Sequence, residues 1–244
     1  MGKIHVLLKK EEIDAAKMAG KTVAVFDILL ATSTITSLLE HGAEEVIPVL
    51  NEQRARETAA GMADESYLLA GEYEGKTIHG FLDPNPSLLK DKVSGKKVIL
   101  STTNGTVALH RSSPASFVYA CSLLNSGAMA EHFLKFHKED SIILVCSGSS
   151  GQFCLEDFYG AGFFISCLLA GSQFELTDSA RAAWLFAASQ RQEAENLLKA
   201  SAVGRMLEDY GFSEEISYIS QHSCYGIVAS FNGSKMLPYR EMTK

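Results

Sequence analysis

The sequence predicts an α/β protein built as three layers, α/β/α, around a largely parallel or mixed central sheet, in one domain over residues 1–244. Three observations predict it. Short β-branched runs alternate with helix-like segments along the chain. The runs at 97–100 and 142–146 are apolar throughout after Lys97, as strands covered on both faces are. Gly42 and Gly61 stand just past two helix-like segments, where the residue that ends a helix takes a left-handed backbone.

In chain order, 3–8 and 22–26 read as strands. Residues 34–41 read as a helix closed by Gly42, 46–50 as a strand, and 52–60 as a helix ended by Gly61. A short strand at 67–70 precedes the buried run at 97–100. Then come a helix at 106–110, a strand at 117–121, a helix at 127–136 and the second buried run. From Leu155 to about Tyr210 the pattern is helical, with breaks near Gly171 and Thr177. This block is expected to cover the sheet rather than form a separate unit. A last strand, 226–231, is followed by a polar tail. Neither a short-period repeat nor a low-complexity segment is present.

Composition narrows the function. The chain is 46% hydrophobic and 21% charged, which is ordinary for a globular protein. Its formal charge of −7, without a cluster of Lys and Arg, argues against a nucleic-acid partner. An anionic ligand would therefore need local groups or a metal to recruit it. The five cysteines, Cys121, Cys146, Cys154, Cys167 and Cys224, have no metal-binding spacing and read as reduced thiols. The first residues lack the apolar stretch of a signal peptide, and the oily run 158–170 is too short to span a bilayer. These features predict a cytoplasmic protein with no membrane partner.

Ligands of parallel sheets bind outside the carboxyl ends of the strands, and four such ends here are polar. The first carries Asp27, Thr32 and Ser33; the second carries Glu72 and a long loop through Asn85. The third is Ser101, Thr102, Thr103, Asn104, Gly105 and Thr106, at the start of a helix. Small residues there let backbone N–H groups reach a phosphate, although a Ser/Thr helix cap is the plainer alternative. The fourth carries Cys146, Ser147, Gly148 and then Glu156 and Asp157, whose carboxylates also suit a helix start. Asp27, Glu72, Glu156 and Asp157 together offer hard oxygen ligands for Mg²⁺. A thiol phosphatase is disfavoured because no Arg follows Cys146 before Arg181. Seven scattered histidines form no zinc pair.

Taken together, these loops resemble the 2-phosphosulfolactate phosphatase family, the magnesium-dependent phosphatases of the coenzyme M and sulfolactate pathways. The matching pieces include Asp27 with residues 31–35, Gly71-Glu72, Gly80-Phe81 with Asn85, the 101–106 string, and 146–151 with Glu156-Asp157 and Ala161-Gly162. A weaker echo is Gly204-Arg205 with Leu207 and Gly211. The resemblance implies hydrolysis of the phosphate monoester of a sulfonated hydroxy acid with Mg²⁺. It makes Asp27, Glu72 and Asp157 catalytic candidates. Thr32, Ser33, Asn85, Thr102, Thr103, Asn104, Gly105, Ser147 and Gly148 become ligand-binding candidates. The chain departs from the family pattern at Leu30, Tyr73 and Val107, where the pattern has Arg, at Pro84-Asn85-Pro86-Ser87, and near Glu215, where it has Asp. Two alternatives follow: a catalytically weak relative that binds a small anionic metabolite, or a phosphatase for a different ester. A homodimer is the expected assembly.

Overall fold

A computed structural model describes residues 1–190 and 193–240. The strands are β1 (Lys3–Leu7), β2 (Thr22–Phe26), β3 (Glu45–Val49), β4 (Tyr67–Tyr73), β5 (Lys76–Thr77), β6 (Lys97–Ser101), β7 (Phe117–Cys121), β8 (Ser141–Cys146), β9 (Glu175–Leu176), β10 (Ala229–Phe231) and β11 (Met236–Pro238). The helices are α1 (Ala15–Met18), α2 (Ala31–Glu40), α3 (Glu52–Ala59), α4 (Pro86–Leu89), α5 (Gly105–Ser112), α6 (Ser126–Phe136), α7 (Leu155–Gly171), α8 (Asp178–Ser189), α9 (Ala194–Ala200), α10 (Ala202–Asp209) and α11 (Ser213–Ile219).

All strands join one mixed sheet in the order β5-β4-β6-β3-β11-β10-β7-β2-β8-β1-β9. Two parallel blocks, β4-β6-β3 and β7-β2-β8-β1-β9, flank the β10–β11 hairpin. That hairpin runs antiparallel to β7 on one side and β3 on the other. The segment expected to be a polar tail is therefore a strand in the middle of the sheet. Its turn is closed by the Asn232 amide donating to the Lys235 carbonyl.

The side-chain alternation of a strand explains the layers. Val23 and Val25 of β2 join an apolar cluster with Ile35, Leu38, Ala108 and Leu109, so α2 and α5 cover that face. Ala24 and Phe26 join the opposite cluster with Met129, Phe133, Phe164 and Ile165 of α6 and α7. Helix α3 covers Ile47, Val49 and Ile99 near the far edge. The expected helical block is a covering layer, with α8 packed on α7 and β1. Helices α9 to α11 continue from it and bring α11 against α4. None of the described helices is long and apolar enough to cross a membrane.

Local capping follows the sequence at several starts. Asn51 accepts from the Arg54 amide at 2.9 Å, and Ser201 from the Gly204 amide at 2.9 Å. Helix α2 differs: it begins at Ala31, three residues before the expected start, after Leu30, which offers no side-chain cap.

Candidate functional site

The β2 end forms the floor of a cavity of about 430 Å³ at the carboxyl ends of the strands. Asp27 follows β2 directly and is 7% exposed. Its amide donates to the Thr32 hydroxyl at 3.0 Å, and that hydroxyl donates to the Asp27 carbonyl at 3.0 Å. The Ser33 hydroxyl donates to the Ile28 carbonyl at 2.8 Å. Thr32 and Ser33 are fully buried, so they brace the turn rather than reach a ligand. The early start of α2 is the reason, since it turns both hydroxyls back onto the carbonyls of the loop.

The second wall joins β4 to the loop after β6. Glu72 accepts from the Thr103 amide at 2.7 Å through one oxygen, and from the Thr103 hydroxyl and Gly75 amide at 3.0 and 2.8 Å through the other. It is the tie that shapes this loop. Thr102, Thr103 and Asn104 line the cavity. The amides of Asn104 and Gly105 donate to no acceptor among the described residues, as expected at a helix start. Gly105 does not line the cavity but allows a close approach. A Cβ there would lie 2.6 Å from Asp27 Oδ2 and 2.5 Å from the Ala31 Cβ. The start of α5 is thus pressed against the Asp27 carboxylate.

The third wall comes from β8 and α7. Asp157 accepts from the Ile28 amide at 2.9 Å and from the Gly148 amide at 3.0 Å. One carboxylate therefore joins the β2 and β8 loops. Gly148 has a φ of 64°, and a Cβ there would meet the Gln152 carbonyl at 2.5 Å. Ser147 is fully buried and outside the cavity wall. Glu156 and Asn85 line the cavity at 2% exposure, and Glu156 Oε2 and Asn85 Nδ2 have no hydrogen-bond partner. Asn85 is held by its neighbours: the Thr34 hydroxyl donates to the Pro84 carbonyl, and Glu215 accepts from the Ser87 amide at 2.9 Å and from its hydroxyl. Glu215 is therefore an anchor for α4 beneath the site.

The electrostatics are one-sided. Asp27, Glu72, Glu74, Asp83, Glu156 and Asp157 line the cavity, and no Lys, Arg or His does so among the described residues. Burial, with added repulsion from Glu72 and Glu156, pushes the Asp27 carboxyl up to about 7. Burial and the charges of Asp27 and Glu156 raise Asp157 well above the usual carboxylate range, against the pull of its two amide hydrogen bonds. Burial raises Glu156 as well. Burial also pushes the Cys146 thiol well up, which suits a structural cysteine rather than a nucleophile.

A divalent cation would relieve this repulsion. Among the described residues, no three His, Cys, Asp or Glu side chains close into a metal cage. Glu72 and Asp157 spend oxygens on backbone amides, which leaves Asp27 and Glu156 the freer donors. That set fits Mg²⁺, which takes one or two protein carboxylates and completes its shell with water and phosphate.

The sequence reading passed over Lys10. Its ammonium is buried behind the cavity, donates to the Asn104 side-chain carbonyl at 2.8 Å, and pulls against the rise at Asp27. The signal was available, because Lys9 and Lys10 follow the end of β1 just as the acids follow theirs. Of the three positions where Arg is expected, Leu30 lines the cavity, while Tyr73 and Val107 do not.

Comparison with known proteins bears on this cavity. The family model described as 2-phosphosulpholactate phosphatase matches residues 7–234. A protein of Clostridium perfringens (strain SM101 / Type A) named probable 2-phosphosulfolactate phosphatase is 36% identical over 238 residues, which is 96% of this chain and 95% of the relative. Proteins of the same name from Clostridium novyi (strain NT) and Carboxydothermus hydrogenoformans are 31% and 35% identical. Those matches cover 96% and 93% of this chain, and 99% and 92% of the relatives.

Proposed function

The chain belongs to the 2-phosphosulfolactate phosphatase family and is a phosphatase; on that premise we propose that it hydrolyses a small phosphate monoester in a Mg²⁺-dependent reaction, with 2-phosphosulfolactate the ester its relatives are named for. One observation carries the reading: Asp27, Glu156 and Asn104, the residue that precedes α5, border a single cavity, with a Cβ at Gly105 only 2.6 Å from Asp27 Oδ2.

The residues divide the work. The phosphoryl oxygens lie against the amide and side chain of Asn104, where the dipole of α5 favours negative charge. Asp27 and Glu156 are the carboxylates that would hold Mg²⁺, which would supply charge neutralisation at the phosphoryl oxygens. Glu72 and Asp157 fix the loops through their amide bonds. Asp27, pressed against the start of α5, is the carboxylate placed to accept the proton of the attacking water. The bond from phosphorus to the water oxygen forms as the bond to the ester oxygen breaks. The products are the alcohol, carrying a proton, and phosphate.

The test is phosphate release from 2-phosphosulfolactate and other monoesters, with Mg²⁺ and with excess chelator. Release that depends on the cation is expected. Full turnover in chelator would remove the metal from the mechanism, and no release from any ester would remove the phosphatase reading for this chain.

A further inference from the structure

Asn85 stands just before α4, and its carbonyl accepts from the Leu89 amide at 3.2 Å, as the first bond of that helix. An asparagine at such a place ordinarily turns its side chain back onto an amide two or three residues further on. Here it makes no such bond. The nearer of those amides, that of Ser87, donates instead to Glu215 of α11 at 2.9 Å, and the Ser87 hydroxyl donates to the same carboxylate. The Asn85 side chain is thus released from its own helix. It lines the cavity at 2% exposure, and its nitrogen has no hydrogen-bond partner among the described residues. A buried donor without a partner costs stability, so its presence calls for a reason.

We propose that Glu215 is a positioning residue for the reaction: by capping α4 in place of Asn85, it frees the Asn85 amide to donate to an anionic oxygen of the bound ester. The proposal rests on the phosphatase reading above. The cavity lining carries six carboxylates and, among the described residues, no cationic side chain, so a neutral donor weighs more there for an anion than it would beside lysines. Glu215 suits the task. Its two oxygens serve both donors of Ser87, and at 3% exposure it is shielded from water that would compete for them. Take Glu215 away, and the Ser87 amide loses its acceptor. The Asn85 side-chain oxygen is then the group that ordinary helix capping would bring to it, and the amide leaves the ligand.

The experiment is a double-mutant cycle on the full chain, reading kcat/KM for 2-phosphosulfolactate with Mg²⁺, and Tm, for the parent, Asn85→Ala, Glu215→Ala and the double variant. Loss of a hydrogen bond to an anion should lower kcat/KM in Asn85→Ala by on the order of 10–100-fold. Its Tm should stay at or above that of the parent, since no cap is lost. Glu215→Ala should show a similar fall in kcat/KM with a lower Tm. The double variant should be no less active than Asn85→Ala, because Glu215 acts through that amide. Glu215→Gln, which keeps one acceptor for Ser87, should recover part of the activity. Should Glu215→Ala not fold, Glu215→Gln is read in the same way, with a loss that vanishes once Asn85 is alanine. Losses that multiply in the double variant overturn the inference, because Glu215 then acts on the fold at large. Unchanged kcat/KM in Asn85→Ala overturns it too, and in both cases an active parent leaves the phosphatase reading intact. A parent that releases no phosphate from any ester overturns both readings together.

Discussion

The Lys10 ammonium donates to the Asn104 side-chain carbonyl across 2.8 Å, so the Asn104 amide nitrogen is left for the cavity that Asn104 lines. The same ammonium lies 3.4 Å from the Ser147 carbonyl, and through it the loops after β1, β6 and β8 are joined. Replacing it removes a charge-assisted hydrogen bond worth about 1.5–3 kcal/mol. Lys10→Met should weaken inorganic phosphate binding about 10–100-fold by calorimetry. Lys10→Arg should recover part of that loss. Unchanged phosphate affinity in Lys10→Met would make this lysine a packing residue only.

Asp27→Asn should lower kcat by on the order of 10²–10⁴-fold while the chain still unfolds cooperatively. It should also change how stability depends on pH. The folded carboxyl titrates near 7, above its usual value near 4 when unfolded. Between those values the folded state holds the extra proton, so this group lowers the stability of the metal-free protein as pH rises from about 4 to about 7. Metal-free Asp27→Asn should match the parent near pH 4 and exceed its Tm at pH 8, each kcal/mol appearing as about 2–4 °C. A variant less stable than the parent at pH 8 would contradict the assigned repulsion.

Gly105→Ala places a Cβ 2.5 Å from the Ala31 Cβ and 2.6 Å from Asp27 Oδ2. Overpacking of this kind costs about 1–3 kcal/mol, although alanine is the better helix former. A lower Tm and a larger fall in kcat than in phosphate affinity are expected, because the carboxylate itself must move. A Tm at or above that of the parent would mean that the two helix starts part freely.

Asn104→Asp keeps an acceptor for Lys10 and sets a negative charge beside the phosphoryl group. Phosphate affinity should fall at least tenfold, with stability changed by less than about 1 kcal/mol. Equal phosphate affinity would take this loop out of the anion site. Asn104→Leu is a poorer probe, since it removes the shortest hydrogen bond of a buried ammonium and its effect mixes folding with binding.

Much of the architecture was legible because it rests on periodicity. The continuous apolar runs became strands with both faces covered, and Gly42 and Gly61 end helices with φ of 89° and 90°. What escaped was decided by contacts distant in sequence. Met236-Leu237-Pro238 is too short to read as a strand, and it becomes one only because β3 and β10 lie on either side. The start of α2 lies three residues before the expected 34 because nothing in the local sequence marks it: the helix begins after Leu30 with no side-chain cap. That places Thr32 and Ser33 in the first turn of the helix, where their hydroxyls bond the loop carbonyls. The gathering of Asp27, Glu72, Glu156 and Asp157 was legible because all four follow the carboxyl ends of strands in one sheet. Lys10 also follows a strand end, but its bond to Asn104 joins residues 94 apart in the chain, which only the fold brings together.

The position of the β10–β11 hairpin carries a consequence for biosynthesis. Nine strands leave the ribosome before it, yet the hairpin joins their two parallel blocks. Until it is made, β7 and β3 each present an open edge of the kind on which nascent chains pair wrongly. Asp27 belongs to one block, and the 102–104 loop to the other. The two sides of the cavity are therefore joined through the sheet only once the hairpin is made. A message cut short before Ala229 would release two half-sheets with sticky margins and no shared active centre, a product suited to proteolysis rather than to partial function.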